Sequence, residues 1–301
     1  MTYIIENANV LKNGIQTVSS FLIENGRISS VRDAFPMYRY MRMDASSYIM
    51  TPSHVRYIKD FPIHQTVKEG KAFYIEEMIL KGCMTFLTTV AINYEHQLHD
   101  ELMKMRTNLL NCPVDYIIGV QIPVRLLKQS FILQSKHEKI PAIFVEIKDV
   151  EELEAVPWGW VREALFPYNS PLIPIFTAED PKERMLQSKK WVQLMEAHRL
   201  PSVKEELEDG LPLTYSTQAK IGIFPFKSHL HHGFELSYNF YLKSREITKI
   251  EELELYRYHS ERLIISVHKG RVIRAGDDLS FKPGSGEYVM IKTPSYYQLA
   301  D

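Results

Sequence analysis

Residues 70–92, GKAFYIEEMILKGCMTFLTTVAI, carry the reading that decides the fold. Phe73, Ile75, Met78 and Ile79 fall on roughly one side of a helix, and Gly82 stands where a left-handed residue would end it. Met84 to Ile92 then reads as a strand. The alternation extends both ways. Tyr48-Ile49-Met50 is strand-like, 94–110 helical, Tyr116 to Ile122 a strand, 124–136 a helix and Ile143 to Ile147 a strand. Short helices at 150–155 and 158–165 precede a strand at Leu172 to Phe176 and a charged amphipathic helix at 182–199. Such β–α repetition predicts a parallel sheet or barrel, because parallel neighbours need crossover helices.

The two chain ends read differently. Apolar runs at Tyr3-Ile4-Ile5, Val10-Leu11 and Phe21-Leu22-Ile23 are punctuated by Asn13-Gly14 and Asn25-Gly26. Asn-Gly between strands is a hairpin signal, since type I′ turns need positive φ at both central positions. Residues 263–274, LIISVHKGRVIR, repeat the pattern around Lys269-Gly270. A small antiparallel sheet built from both ends is expected.

Composition bounds the function. The chain has 301 residues, 45% apolar and 24% charged, enough for a sizeable core. Lys plus Arg number 36 against 37 acids, so no basic excess points to nucleic acid. Cys83 and Cys112 are too few for a disulfide framework or a thiolate zinc site. The start, MTYIIENANV, lacks a basic region followed by an apolar run, and no stretch has the ~18 apolar residues of a membrane span, so a cytoplasmic globular protein is expected.

Several segments carry a family resemblance. Phe21 to Val31 (FLIENGRISSV), then Asp44-Ala45-Ser46-Ser47-Tyr48-Ile49-Met50-Thr51-Pro52, resembles the lead-in to the first barrel strand of the amidohydrolase superfamily. Ser216 to Lys227 (STQAKIGIFPFK) is similar to the family's run into its terminal sandwich. Val267 to Ile273, Gly276, and Lys282-Pro283-Gly284-Ser285-Gly286-Glu287-Tyr288 narrow the resemblance to the hydantoinase, dihydropyrimidinase and allantoinase branch. The resemblance covers most of the chain except roughly 181–212. It implies a (β/α)₈ barrel and a discontinuous β-sandwich. It also implies two metal ions held by an H-x-H pair, a carboxylated lysine, two further histidines and an aspartate.

Those ligands are missing where the family would place them. The H-x-H positions fall on Ile58 and Asp60, the lysine position at about Val145, and the fifth-strand histidine on Thr177. Lys148, three residues on from Val145, has the opposite strand parity. A full barrel takes ~250 residues, about 31 per unit, so Arg56 to Tyr215 holds about five units. The shortening falls after Glu179 and removes strands six to eight with their ligands. The expected architecture is therefore α/β: a truncated TIM-like barrel over 55–215, with a sandwich formed by 1–54 and 216–301.

Other side chains give weaker signals. His229 and His231 are expected on one strand face, a spacing that can hold zinc, although surface or packing roles are commoner. Asp60 and Glu179 end strands, where barrel enzymes place catalysis, and would form an acid/base pair only if they converge. His54, Cys83, and the aromatic group of Trp158, Trp160 and Tyr168 read as packing residues. No helix follows Gly284-Ser285-Gly286, so that run cradles no nucleotide.

The favoured function is a catalytically inactive, cofactor-free relative with a structural, binding or regulatory role. It would act as a homo-oligomer, a dimer first, or in complex with an intact relative, without nucleic acid or membrane. The open edges of a five-stranded barrel motivate the assembly. The alternative is a hydrolase of C–N bonds in cyclic amides, with a reduced or relocated site at Asp60 and Glu179.

Overall fold

The structure is a computed structural model and describes residues 2–62, 66–244 and 250–295. Five strands come first: β1 (Thr2–Lys12), β2 (Ile15–Glu24), β3 (Arg27–Arg32), β4 (Met41–Asp44) and β5 (Tyr48–Pro52). Then β6 (His54–Ile58), α1 (Val67–Phe73), β7 (Cys83–Ala91), α2 (Leu98–Asn108), β8 (Asp115–Pro123), α3 (Gln129–His137) and β9 (Ile143–Ile147) alternate. Helices α4 (Val150–Glu154) and α5 (Trp158–Leu165), β10 (Leu172–Phe176), α6 (Pro181–Ala197) and α7 (Tyr215–Ile221) follow. The described chain closes with β11 (Tyr238–Leu242), α8 (Glu252–Tyr258), β12 (Leu263–His268), β13 (Arg271–Ala275) and β14 (Asp278–Leu279).

Two compact units emerge. One comprises residues 2–55, 66–85, 225–244 and 250–283, and the other 56–62, 86–224 and 284–295. The first holds a nine-stranded, mostly antiparallel sheet ordered β14-β13-β12-β11-β5-β1-β2-β3, with β4 added beside β1. Its hairpins turn where the sequence signals them. Asn13-Gly14, Asn25-Gly26 and Lys269-Gly270 all have positive φ at both residues, with φ of 74° at Gly26. The main core of this unit gathers Ile5, Phe21 and Ile23 from the N-terminal strands with Tyr238, Phe240 and Val267 from the C-terminal ones.

The second unit holds the five-stranded sheet β10-β9-β8-β7-β6, whose β8–β9 and β9–β10 ladders are parallel. These strands are almost wholly buried, Ile143, Val145, Leu172 and Ile173 completely so. The strand-like run that begins at Tyr48 is followed at once by a second strand rather than continuing into the barrel. Pro52 has no N–H to continue a ladder, β5 pairs with β11, and β6 begins the parallel sheet after Ser53. The helix read over 70–81 is α1, a π-type turn at Tyr74–Met78 and a 3₁₀ turn at Ile79–Lys81, ended by Gly82 at φ 70°.

Candidate functional site

A ring stack identifies the concave face of the parallel sheet. Tyr57 on β6 and Phe144 on β9 stand three strand spacings apart, about 14 Å on a flat sheet. Their rings nevertheless stack at 5.1 Å with an interplanar angle of 8°. The sheet must therefore curl, with Tyr57 and Phe144 inside the curl. Gln121 is the register partner of Phe144, and Ile173 and Ile175 are partners of Phe144 and Glu146, so all share this face. Gln121 Nε2 donates to Glu146 Oε1.

The residues singled out from the sequence are spread around this face. Ile58 is buried at the end of β6. Val145 is fully buried in β9, and strand parity turns it to the side opposite Phe144 and Glu146. Thr177 lies just past β10, and its hydroxyl donates to Ile147 O at 3.0 Å. Asp60 and Glu179 are exposed, and among the described residues neither carboxylate has a hydrogen-bond or ion-pair partner. Among the described residues neither belongs to a group of three potential metal ligands within 4.8 Å of one another. Lys148 is exposed, and its carbonyl accepts from Gln187 Nε2 at 2.6 Å.

This donor set does not fit the two-metal centre that the resemblance implies. Ile58 offers no lone pair, Val145 points away, Thr177 offers only a neutral hydroxyl in place of an imidazole, and the carboxylates join no group of three ligands. Acidic charge does gather near Tyr57. Burial pushes its phenol up, and Asp209, Glu206 and Asp60 push it further, while a hydrogen bond with Thr89 opposes them.

The edges of the sheet are already covered. Leu172 N donates to Pro201 O, and Val203 N donates to Leu172 O, both at 2.9 Å, so residues 201–203 lie along β10. Ten residues later the same segment reaches β6: Tyr57 N donates to Leu211 O and Gly210 N to Tyr57 O, again at 2.9 Å. Lys59 N donates to Asp209 Oδ1 at 2.8 Å, and Trp191 Nε1 of α6 donates to Val203 O at 3.0 Å. The open edges expected from five strands are thus each occupied by the chain itself. The Asp209-Gly210 pair was the sequence signal for the turn at the second contact.

The histidine cluster is not on a strand. Residues 228–234 form a loop between α7 and β11, bracketed by positive φ at Ser228 and Gly233, which breaks an extended run. The His229 and His231 rings still lie side by side, 5.5 Å apart. Lys12 Nζ donates to His229 Nδ1 at 3.2 Å, and burial, Lys12 and His231 lower its pKa to about 4. One ring nitrogen is therefore engaged by a cation. His54 is buried, its Nε2 2.9 Å from Tyr241 Oη, as a packing residue would be. Cys83, and Trp158 with its Nε1 donating to Leu153 O, are also buried, whereas Trp160 is 58% exposed. Sequence reasoning missed Tyr57 and Phe144. Their alternation with Ile58 and Val145 was the available signal, but it needed the correct strand parity.

No family profile matches the sequence, and no curated protein matches it. Solved structures do. D-hydantoinase from Bacillus sp. AR9 is similar over 99% of this chain and 100% of its own, at 10% identity and a TM-score of 0.64. Dihydropyrimidinase from Brevibacillus agri matches over 97% and 99%, at 11% identity and 0.58. An amidohydrolase matches over 92% and 100%, at 8% identity and 0.54. At these identities the likeness concerns the fold, and the chain has the amidohydrolase fold of the hydantoinase and dihydropyrimidinase kind.

Proposed function

We propose that this chain is a non-catalytic protein built on the hydantoinase fold, acting by binding and assembly rather than by hydrolysis. The observation that carries this reading is the Tyr57–Phe144 stack, which fills the concave side of the parallel sheet with two aromatic rings. Hydrolysis of a cyclic amide needs a generated hydroxide and a polarised carbonyl, and the residues at the strand ends provide neither. Because both sheet edges already carry residues 201–211, partners would be met through side-chain surfaces rather than by strand addition. The partner is a second copy, a dimer first, or an intact relative. The reading also places the protein in the cytoplasm: both cysteines are buried and unlinked. Among the described residues no helix is long and apolar enough to cross a membrane.

The test combines three measurements on protein purified without added metal. The reading expects far less than stoichiometric zinc or manganese, no turnover of dihydrouracil, hydantoin or allantoin above background, and a dimer by light scattering at micromolar concentration. Turnover abolished by Asp60→Asn or Glu179→Gln would establish the alternative, a hydrolase with a relocated site. A clean 35 kDa monomer would remove assembly from the proposal.

A further inference from the structure

Three polar side chains make a row inside the antiparallel sheet. Asn239 on β11 is the register partner of Thr51 on β5 and of Ser266 on β12, so all three leave the same face. The flanking residues Met50, Phe240 and Val267 enter the apolar core on the other face. Thr51, Asn239 and Ser266 are each 0% exposed. The amide of Asn239 is fixed, because its Nδ2 donates to Gly82 O at 3.0 Å. The turn at Gly82 presses on it so closely that a Cβ there would lie 2.5 Å from Nδ2. Ser266 is in turn the partner of Arg274 on β13, whose Nη1 donates to Leu80 O at 3.0 Å.

What the row lacks is protein partners. Thr51 Oγ1, Asn239 Oδ1 and Ser266 Oγ make no hydrogen bond to any protein group. Buried polar atoms are almost always paired, and three adjacent exceptions on neighbouring strands ask for a common explanation. The chemistry of the row selects the ligand. Asn239 Oδ1 can only accept, so an anion is repelled. Arg274 at the end of the row, with a single neutral amide oxygen as acceptor, disfavours a metal cation. The two hydroxyls either donate or accept. A small neutral molecule that both donates and accepts satisfies all three, and the ~5 Å spacing of cross-strand side chains leaves room for little more than water.

We infer that Thr51, Asn239 and Ser266 form an internal hydration site, in which ordered water donates to Asn239 Oδ1 and bridges it to the flanking hydroxyls. The site ties β5, β11 and β12 together on the face where the Gly82 turn is held. A crystal structure of the full chain and two conservative variants test it. The expected result is water density within about 2.7–3.2 Å of at least one of the three atoms. Thr51→Val and Ser266→Ala, each removing a partner of that water, should then lower the unfolding midpoint by a few degrees. Thr51→Val is the deciding variant, since valine keeps the shape and suits a strand. If the hydroxyl is buried without a partner, its removal raises the midpoint. No density at any of the three atoms, together with a raised midpoint in Thr51→Val, would overturn the inference.

Discussion

Gly286 should be intolerant of even one methyl group. Residues 285–289 run against the start of β8, and a Cβ on Gly286 would lie 1.9 Å from Val114 O and 2.4 Å from its carbonyl carbon. Ordinary contact begins near 3.4 Å, so the segment would have to retreat by about 1.5 Å. Four hydrogen bonds made by its backbone help to hold it in place. Gly286 N donates to Cys112 O at 2.9 Å, Tyr116 N to Glu287 O at 3.0 Å and Val289 N to Tyr116 O at 2.8 Å. Glu287 N donates to Asp115 Oδ1 at 2.9 Å. A retreat of that size carries all four beyond hydrogen-bonding range. At about 1 kcal/mol each, Gly286→Ala should cost about 3–5 kcal/mol. For a unit of this size that lowers the melting temperature by roughly 10 °C. Calorimetry measures it, and hydrogen exchange should show the Tyr116 and Val289 amides losing protection. Gly159→Ala in α5 is the control: nothing lies within 4 Å of its Cβ, so alanine should be neutral or add up to about 1 kcal/mol. A Gly286→Ala protein melting within about 2 °C of the parent would refute the close-approach argument.

Phe144→Ala removes half of the stack against Tyr57 and should destabilise by about 3–5 kcal/mol in urea titrations. Gly210→Ala places a side chain at φ 79° with its Cβ 3.1 Å from an Arg56 nitrogen, and should cost about 1–2 kcal/mol by the same measurement. The His54 imidazole, held down to about 4 by burial, predicts a specific pH dependence. The unfolded chain takes up the proton near pH 6.5, so this contribution is intact above 6.5 and is lost as pH falls from 6.5 through 4, about 3 kcal/mol in all. Stability measured across that window should fall less steeply in His54→Gln.

Much of this architecture is local chemistry and therefore legible. Asn13-Gly14, Asn25-Gly26 and Lys269-Gly270 announce their turns because few other residues accept positive φ twice in succession. Helix α5 lies where its apolar spacing put it, at Trp158–Leu165. The exchange of α-type for π-type hydrogen bonds at Tyr74–Met78 was invisible, because apolar spacing over so short a run does not tell which carbonyl each amide will bond. Helix α7 was also missed, although Thr214 caps its first turn and Gly222 ends it at φ 89°, because those residues were read as motif rather than as caps. At the candidate site, the substitutions at Ile58 and Thr177 could be read directly. The pairing of Tyr57 with Phe144 could not, since it depends on how far the sheet curls. Nor could the covering of the edges, which uses single backbone rungs with no periodic pattern.

That covering frees the sheet from the geometry of a closed barrel. In a barrel made only of strands, circumference, tilt and stagger are linked, and adding or removing a strand changes them all. Here the span from β10 to β6 is completed by a tether fastened near Val203 and again near Gly210, with exposed Lys204 and Glu205 between. A tether has slack where a stave has register. Loop-closure entropy rises by only about 0.6 kcal/mol per doubling of length, so extra residues beside Lys204 are nearly free thermodynamically. The same residues inserted at Ser202 or Leu211 would shift a rung. The perimeter of this fold is thus adjustable at one place, and its length there is open to evolutionary drift without loss of closure.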